Sequence, residues 1–186
     1  MRDKIFQTIK RTTIKNLHEL AGGVKNLQYK DSKCFPFNTE QLLPKSRPEE
    51  LIKKVSDWIG KKNESRHLYY FKVIGKIDVE KIGKRFEKAK SNEESRAYPQ
   101  SNFDSNSHSK YLYVGISADV KQRFKQHLGY GPERTYSMHL ACWAKTLKLP
   151  IEFYCMRFNA EAKLLQAIED GYWESLKPLL GKKGSK

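Results

Sequence analysis

The chain has 186 residues, with 36 Lys and Arg against 21 Asp and Glu, so its formal net charge is +15. A hydrophobic fraction of 38% is enough for one core, and so large a positive charge points to a polyanionic partner. No run of about 18 apolar residues is present, and the three cysteines are too scattered for a zinc knuckle or a disulfide framework. We therefore expect an intracellular, cytoplasmic protein without a membrane partner.

The first third of the chain predicts two helices joined by an irregular segment. Residues 5–21 have the pattern of a basic helix, and residues 48–60 predict a second helix with a proline in its first turn. Residues 25–47, between them, predict no regular element. We divide the chain into a basic helical extension, residues 1–65, and a main domain, residues 66–186. The extension either grips DNA or packs against the main domain.

Residues 67–74 are rich in aromatic and branched side chains and predict a buried strand. Residues 76–110 follow, and they are far longer than an ordinary hairpin loop. Asp78 predicts the start of a helix in this insertion. The basic side chains of that helix suit a DNA backbone: Lys81, Lys84, Arg85 and Lys88. The second half, residues 91–109, is rich in Ser and Asn and is either a target-recognition insertion or a solvated surface loop.

Residues 111–116 alternate in a way that predicts a second strand, with Tyr111, Tyr113 and Gly115 on one face. Ser117 is the predicted N-cap of the helix that follows.

That helix has an apolar ridge formed by Val120, Phe124 and Leu128. Arg123 and His127 lie four residues apart along the margin of the ridge. The water-facing side carries two further basic residues that suit DNA contact, Lys121 and Lys125.

The end of the chain predicts a helix at 136–147, a third strand at 151–158 and a last helix at 160–176, with Asn159 as its cap. Glu169 falls within the edge of the apolar sector of that last helix. A carboxylate among apolar groups normally needs a cation, a metal or several donors, because burying it unpaired is costly. The alternative without a functional role is a glutamate at the edge of the apolar sector that is paired with a lysine.

These residues resemble the motifs of the GIY-YIG nucleases. The second half-motif is matched by Tyr113-Val114-Gly115, followed at family spacing by Arg123, His127, Glu169 and Leu176-Lys177-Pro178. The first half-motif has its counterpart in residues 67–74, where Tyr69 takes the position of the first family tyrosine. Tyr70 is the alternative, since a slip of one residue reverses the faces of a strand. The resemblance covers about residues 66–180.

Three positions depart from the family pattern. His67 replaces the leading glycine, Ile116 replaces a lysine that often follows the second motif, and Gly181 stands where some members carry an asparagine. Loss of the lysine and of the asparagine would slow the chemistry or alter DNA contacts.

The resemblance implies an α+β fold, with a small three-stranded antiparallel sheet flanked by helices. The N-terminal helical extension and the long insertion between the first two strands would be additions to it. It also implies that Glu169 holds one Mg²⁺ or Mn²⁺ ion and that Arg123 contacts the phosphate. Tyr69 would be the candidate base, which requires a pKa well below the tyrosine reference value. Tyr113 and His127 would position the attacking water or relay its proton.

We therefore expect a metal-dependent DNA endonuclease that cleaves duplex DNA at a chosen site, as a restriction enzyme does. Homing and structure-specific repair nucleases are alternatives within the same family. From another class, Ile116 and Gly181 keep open a catalytically quiet nucleic-acid-binding module. Because each chain has one active site, cutting both strands predicts either a homodimer on DNA or sequential nicking.

Overall fold

The computed structural model of the chain describes residues 2–42, 48–60, 65–93 and 95–184. Residues 43–47 and 61–64, which belong to the predicted extension, lie outside the described residues. The elements follow in this order: α1 (Arg2–Asn26), β1 (Asp31–Asn38), a 3₁₀ turn (Thr39–Leu42), α2 (Glu49–Ile59), β2 (Arg66–Val73), α3 (Val79–Asn92), β3 (Tyr111–Ser117), α4 (Val120–Leu128), α5 (Leu140–Trp143), a 3₁₀ turn (Lys145–Leu147), β4 (Pro150–Phe158) and α6 (Ala162–Leu176).

The strands form one antiparallel sheet in the order β1-β4-β2-β3. The α+β class is confirmed, but the prediction of three strands was wrong. β1 lies within residues 25–47, the segment predicted to be irregular, and pairs with β4 from Asp31 opposite Arg157 to Asn38 opposite Pro150. Pro36 is tolerated within β1 because an edge strand has ladder partners on one side only.

The sheet separates a larger and a smaller core. The larger core, on the side of α2 to α5, includes Phe71, Phe124 and Phe153, whose ring centroids lie 4.5–6.0 Å apart. The smaller core, under α6 and the end of α1, includes Leu68 and Leu165. Consecutive side chains of β2 therefore enter different cores, so the register of this strand is fixed by burial on both faces.

A β-bulge in β3 changes which tyrosines share a face. Phe71 pairs with Tyr113, but Lys72 pairs with Tyr111, so β3 carries one extra residue at this point. The ring of Tyr111 consequently packs against Tyr70, with centroids 5.4 Å apart, on the smaller-core side. The prediction that Tyr111 shares a face with Tyr113 was wrong for this reason.

Two predicted helix caps were also wrong. Asp119, not Ser117, caps α4, since its Oδ1 accepts the N–H of Gln122 at 3.1 Å, while the Ser117 hydroxyl accepts the N–H of Asp119 at 2.9 Å. Glu161, not Asn159, precedes α6, and it makes no side-chain cap hydrogen bond. The helix predicted at 136–147 is reduced to α5 and the short turn after it.

The long insertion between β2 and β3 is partly helical and partly packed. Asp78 caps α3 as predicted, accepting the N–H of Lys81 at 2.9 Å. The segment after α3 folds back onto the main domain, and Tyr98 and Asn102 within it are 7% and 8% exposed. It is therefore not a fully solvated loop. Among the residues described, no helix combines the length and the apolarity that crossing a membrane requires.

Candidate active site

The site is built around the pairing of β2 with the edge strand β3. Tyr69 lies opposite Gly115 in this pairing. A Cβ atom on residue 115 would lie 2.7 Å from Oη of Tyr69 and 2.9 Å from Cε1 of Tyr113. Only glycine leaves space for these two rings, which are stacked with centroids 6.3 Å apart.

Tyr69 and Tyr70, the two alternatives from the sequence, point to opposite faces of the sheet. Tyr70 stacks on Tyr154 with centroids 5.1 Å apart, and burial together with the neighbouring tyrosines raises its pKa to about 12. Tyr69 lies instead beside His127 and lines a cavity on the other face. The geometry therefore favours Tyr69 as the counterpart of the first family tyrosine.

His127 is completely buried behind Tyr69, with its Nε2 3.1 Å from Oη of Tyr69. Burial lowers the pKa of His127 well below its ordinary value, so the ring is neutral. The N–H of Met138 donates to Nδ1 at 3.3 Å, so the single ring proton is on Nε2. Nε2–H therefore donates a hydrogen bond to Oη of Tyr69. His127 thus lies behind both tyrosines, with its ring centroid 4.5 Å from that of Tyr113, and in this tautomer it cannot accept the proton of Tyr69.

Arg123 is held in place by the loop before α5. Its Nη1 and Nη2 donate to the carbonyl oxygen of Tyr136 at 3.1 and 3.2 Å, and Nη1 also donates to Oε1 of Gln126 at 2.8 Å. The guanidinium also lies close enough to the hydroxyls of Tyr69 and Tyr113 to oppose the rise of their pKa values. A fork fixed on so many sides is preorganised to receive an anion.

Burial raises the pKa of Tyr69 above its ordinary value, and Tyr113 adds to the effect, while Arg123 opposes it. Burial likewise raises the pKa of Tyr113. The protein's own groups therefore do not provide the lowered pKa that a tyrosine base requires, and the Tyr69 hydroxyl is protonated at neutral pH.

Glu169 reaches the same space from α6, which packs against β3. Its carboxylate accepts the Nε2–H of Gln166 at 2.8 Å, and both Gln166 and the backbone of Ile116 act to lower its pKa. Burial nevertheless raises the pKa of Glu169 to about 7, and the nearby Asp170 adds to the rise. The carboxyl group is therefore poised between its charged and neutral forms in the absence of a cation.

These side chains line one cavity of about 380 Å³. Of the predicted site residues, Tyr69, Tyr113, Arg123 and Glu169 line it, whereas His127 lies behind it. Three further residues line the cavity that the sequence did not predict as part of the site: Tyr136, Gln166 and Lys182. Only Gln166 left a signal in the sequence, since it lies three residues before Glu169 on the same helix.

The cavity suits a hydrated hard cation better than zinc. Among the described residues, no group of three His, Cys, Asp or Glu side chains is placed to hold a metal. Zinc usually takes three or four protein ligands, whereas Mg²⁺ prefers oxygen and keeps several of its waters. The single carboxylate of Glu169, beside a space open to water and phosphate, fits the second type of ion.

The basic residues predicted to contact DNA lie on two helices, and contact with nucleic acid stays a prediction for all of them. On α4, Lys121 donates to the carbonyl oxygen of Gly60, and Lys125 is partly buried. On α3, Lys84 is paired with Glu80. The four predicted residues of α3 are exposed: Lys81, Lys84, Arg85 and Lys88.

The antiparallel sheet and α6 thus present two tyrosines, a guanidinium and a single carboxylate to one cavity, a set of groups that suits a phosphate together with a cation. The family model for the GIY-YIG catalytic domain matches residues 104–181. This match supports membership of the GIY-YIG nuclease superfamily. The matched region contains β3, α4 and α6 but not β2, which carries Tyr69. Tyr69 is brought to the cavity by the pairing of β2 with β3. No curated protein and no solved structure gave a match.

Proposed function

We propose that the protein is a metal-dependent endonuclease that hydrolyses phosphodiester bonds in duplex DNA. The observation that carries this proposal is the convergence of Tyr69, Arg123 and Glu169 on one cavity. The family supports nuclease activity in general, and its members generally depend on a divalent metal. Mg²⁺ or Mn²⁺, one ion per site, matches the donor set that Glu169 offers.

In the proposed reaction, a water oxygen attacks phosphorus, and the bond from phosphorus to the leaving oxygen breaks. The phenolate form of Tyr69 takes the proton of the water, while His127 Nε2–H and the Arg123 guanidinium stabilise the phenolate charge. Arg123 also contacts a non-bridging phosphate oxygen. A metal ion bound at Glu169 would supply charge neutralisation at the phosphate and the leaving oxygen.

His127 has a positioning role in this scheme. Because its Nε2–H donates a hydrogen bond to the oxygen of Tyr69, His127 orients the phenol and favours its ionised form. Since burial raises the pKa of Tyr69, the reactive phenolate is a minor form that grows about tenfold per pH unit. The cleavage rate is therefore expected to rise with pH well into the alkaline range.

Duplex DNA is the proposed substrate because the formal charge is +15 and exposed basic residues lie along α3. We favour cleavage at a chosen site, as in a restriction enzyme, over homing or structure-directed repair. Recognition would fall to the insertion between β2 and β3 or to the N-terminal extension.

We also propose that two copies act together on DNA and that α1 provides the contact between them. Four large apolar side chains on one side of α1 are 57–61% exposed: Ile5, Phe6, Ile9 and Leu17. Two such helices packed against each other would bury these side chains in the apolar centre of an interface. In such a pair the basic side chains on the far side of each helix, including Lys4 and Arg11, remain free for phosphate.

Cleavage of supercoiled plasmid in Mg²⁺ or Mn²⁺ tests the proposal. Wild type is expected to cut, and Glu169→Gln is expected to bind DNA without cutting it. Binding without cleavage by wild type would refute the nuclease and support the quiet module, for which Ile116 in place of the family lysine is the favouring observation. Sequencing the product ends separates a fixed recognition site from structure-directed nicking.

A further inference from the structure

The segment after α6 is fixed to the open edge of the sheet. The N–H groups of Leu179 and Leu180 donate to the carbonyl oxygens of Tyr111 and Leu112 at 2.8 and 2.9 Å. Both leucine side chains are fully buried. The chain therefore runs beside β3 as a short, well-anchored continuation of the sheet.

The insertion between β2 and β3 holds this segment from its other side. Asn102, which is 8% exposed, donates from Nδ2 to the carbonyl oxygens of Pro178 and Gly181 at 3.2 and 2.7 Å. The N–H of Gly181 donates to the carbonyl oxygen of Gln100 at 2.8 Å. The backbone up to residue 181 is thus positioned by two independent parts of the fold.

Gly181 turns the chain at the cavity. Its φ of +98° lies in the region that favours glycine, and a Cβ atom there would lie 3.1 Å from Cε2 of Tyr113. No side chain can project from this position, where some family members carry an asparagine. The next residue, Lys182, lines the cavity together with Arg123 and Glu169.

The charges around the cavity leave a role for this lysine. Ile116 brings an apolar side chain to the position of the family lysine, and part of the Arg123 donor fork is taken by the carbonyl oxygen of Tyr136, which leaves room for a second cation at the phosphate. Lys183 is directed elsewhere, since it pairs with Glu174 on α6. A transferring phosphate accumulates negative charge, and a flexible ammonium group at the cavity is suited to meet it.

We propose that Lys182 is a catalytic residue that contacts a non-bridging oxygen of the scissile phosphate and replaces the cation missing at Ile116. This inference rests on the proposed nuclease function. The ammonium group neutralises the phosphate during attack, while its anchored backbone keeps it within reach of the cavity. The neighbouring Lys183 provides a matched control, because it has the same charge and differs in its direction.

The experiment compares Lys182→Met, Lys182→Arg and Lys183→Met with wild type in single-turnover cleavage of duplex DNA with Mg²⁺. We expect Lys182→Met to lower the maximal rate about 100-fold, Lys182→Arg to restore part of it, and Lys183→Met to stay within about twofold of wild type. In DNA binding, Lys182→Met should lose the salt dependence of about one phosphate contact, whereas Lys183→Met should lose less, because Lys183 is paired with Glu174. Thermal unfolding should be the same for Lys182→Met and wild type, since the side chain is exposed.

A wild-type rate in Lys182→Met, with wild type itself cutting, overturns the inference and leaves the nuclease function intact. Equal loss of rate in Lys182→Met and Lys183→Met also overturns it, since that result points to general electrostatics. If wild type cuts no DNA under any divalent metal, the nuclease function fails and this role for Lys182 fails with it.

Discussion

Replacing Glu169 by glutamine tests whether its carboxylate is held in a desolvated place for a cation. Burial raises the pKa of Glu169 to about 7, so the folded protein binds this proton more tightly than the unfolded chain does. The metal-free wild type therefore loses stability as pH rises from the ordinary glutamate pKa of about 4.3 to about 7. Glutamine does not titrate, so the variant escapes this loss.

The size of the effect follows from the pH interval. From pH 5 to the folded-state pKa of about 7, the folded protein holds about one proton more than the unfolded chain. Over these roughly two pH units, the free energy of unfolding falls by about 2.7 kcal/mol, and it changes little between there and pH 8.5. Because the Glu169 side chain is partly exposed, we expect about 2 kcal/mol. For a protein of this length, that is a gain in Tm of about 4–8 °C for Glu169→Gln over wild type at pH 8.5, beyond any difference at pH 5.

The measurement is urea or thermal unfolding in EDTA at both pH values. Glu174→Gln is the matched control, since Glu174 is exposed on the same helix and its pKa is lowered by the hydrogen bond to Lys183. It should show no gain at high pH. Added Mg²⁺ should raise the Tm of wild type and leave Glu169→Gln unchanged. A difference between Glu169→Gln and wild type that is the same at both pH values would refute the reasoning.

Three further changes probe the site and the contact between copies. Tyr69→Phe should lower the cleavage rate at least 100-fold and remove its rise with pH, whereas Tyr70→Phe, on the other face, should cut at nearly the wild-type rate. Gly115→Ala should lose activity and about 1–3 kcal/mol of stability in urea unfolding, because its Cβ would meet Tyr69 at 2.7 Å; Gly171→Ala on α6, with nothing within 4 Å, should not. Phe6→Glu should reduce the mass measured by light scattering to that of a monomer and convert double-strand breaks to nicks, and an unchanged mass would exclude α1 as the contact.

The sequence predicted the parts of the site that local patterns encode. Alternation marked the strand that carries Tyr113, and spacing on one helix placed Arg123 and His127 together. An acidic residue among apolar neighbours marked Glu169. Each of these signals depends on residues within one or two turns, which is the range where a single sequence is informative.

β1 could not be predicted because its signals contradict its structure. It contains Pro36 and ends in Asn38, and its partner β4 lies more than 100 residues away in the chain. An edge strand is stabilised by that distant partner, so its own composition needs little strand preference. The bulge in β3 was missed for a related reason, since one extra residue is visible only against the paired strand.

The insertion between β2 and β3 acquires a role that neither sequence-based hypothesis considered. Through the buried side chain of Asn102, it binds the backbone on both sides of Leu179 and Leu180, the same backbone that carries Lys182 to the cavity. Asn102 bonds only to backbone carbonyl groups of this segment, so the hydrogen bonds do not depend on the side chains there. The insertion can therefore hold the backbone of residues 178–181 in place whichever side chain follows at residue 182. Because β3 is an edge strand, its open side is available both to this segment and to Glu169 of α6. The placement of β3 at the edge of the sheet therefore allows Glu169 and Lys182, from the last part of the chain, to line the same cavity as the two tyrosines.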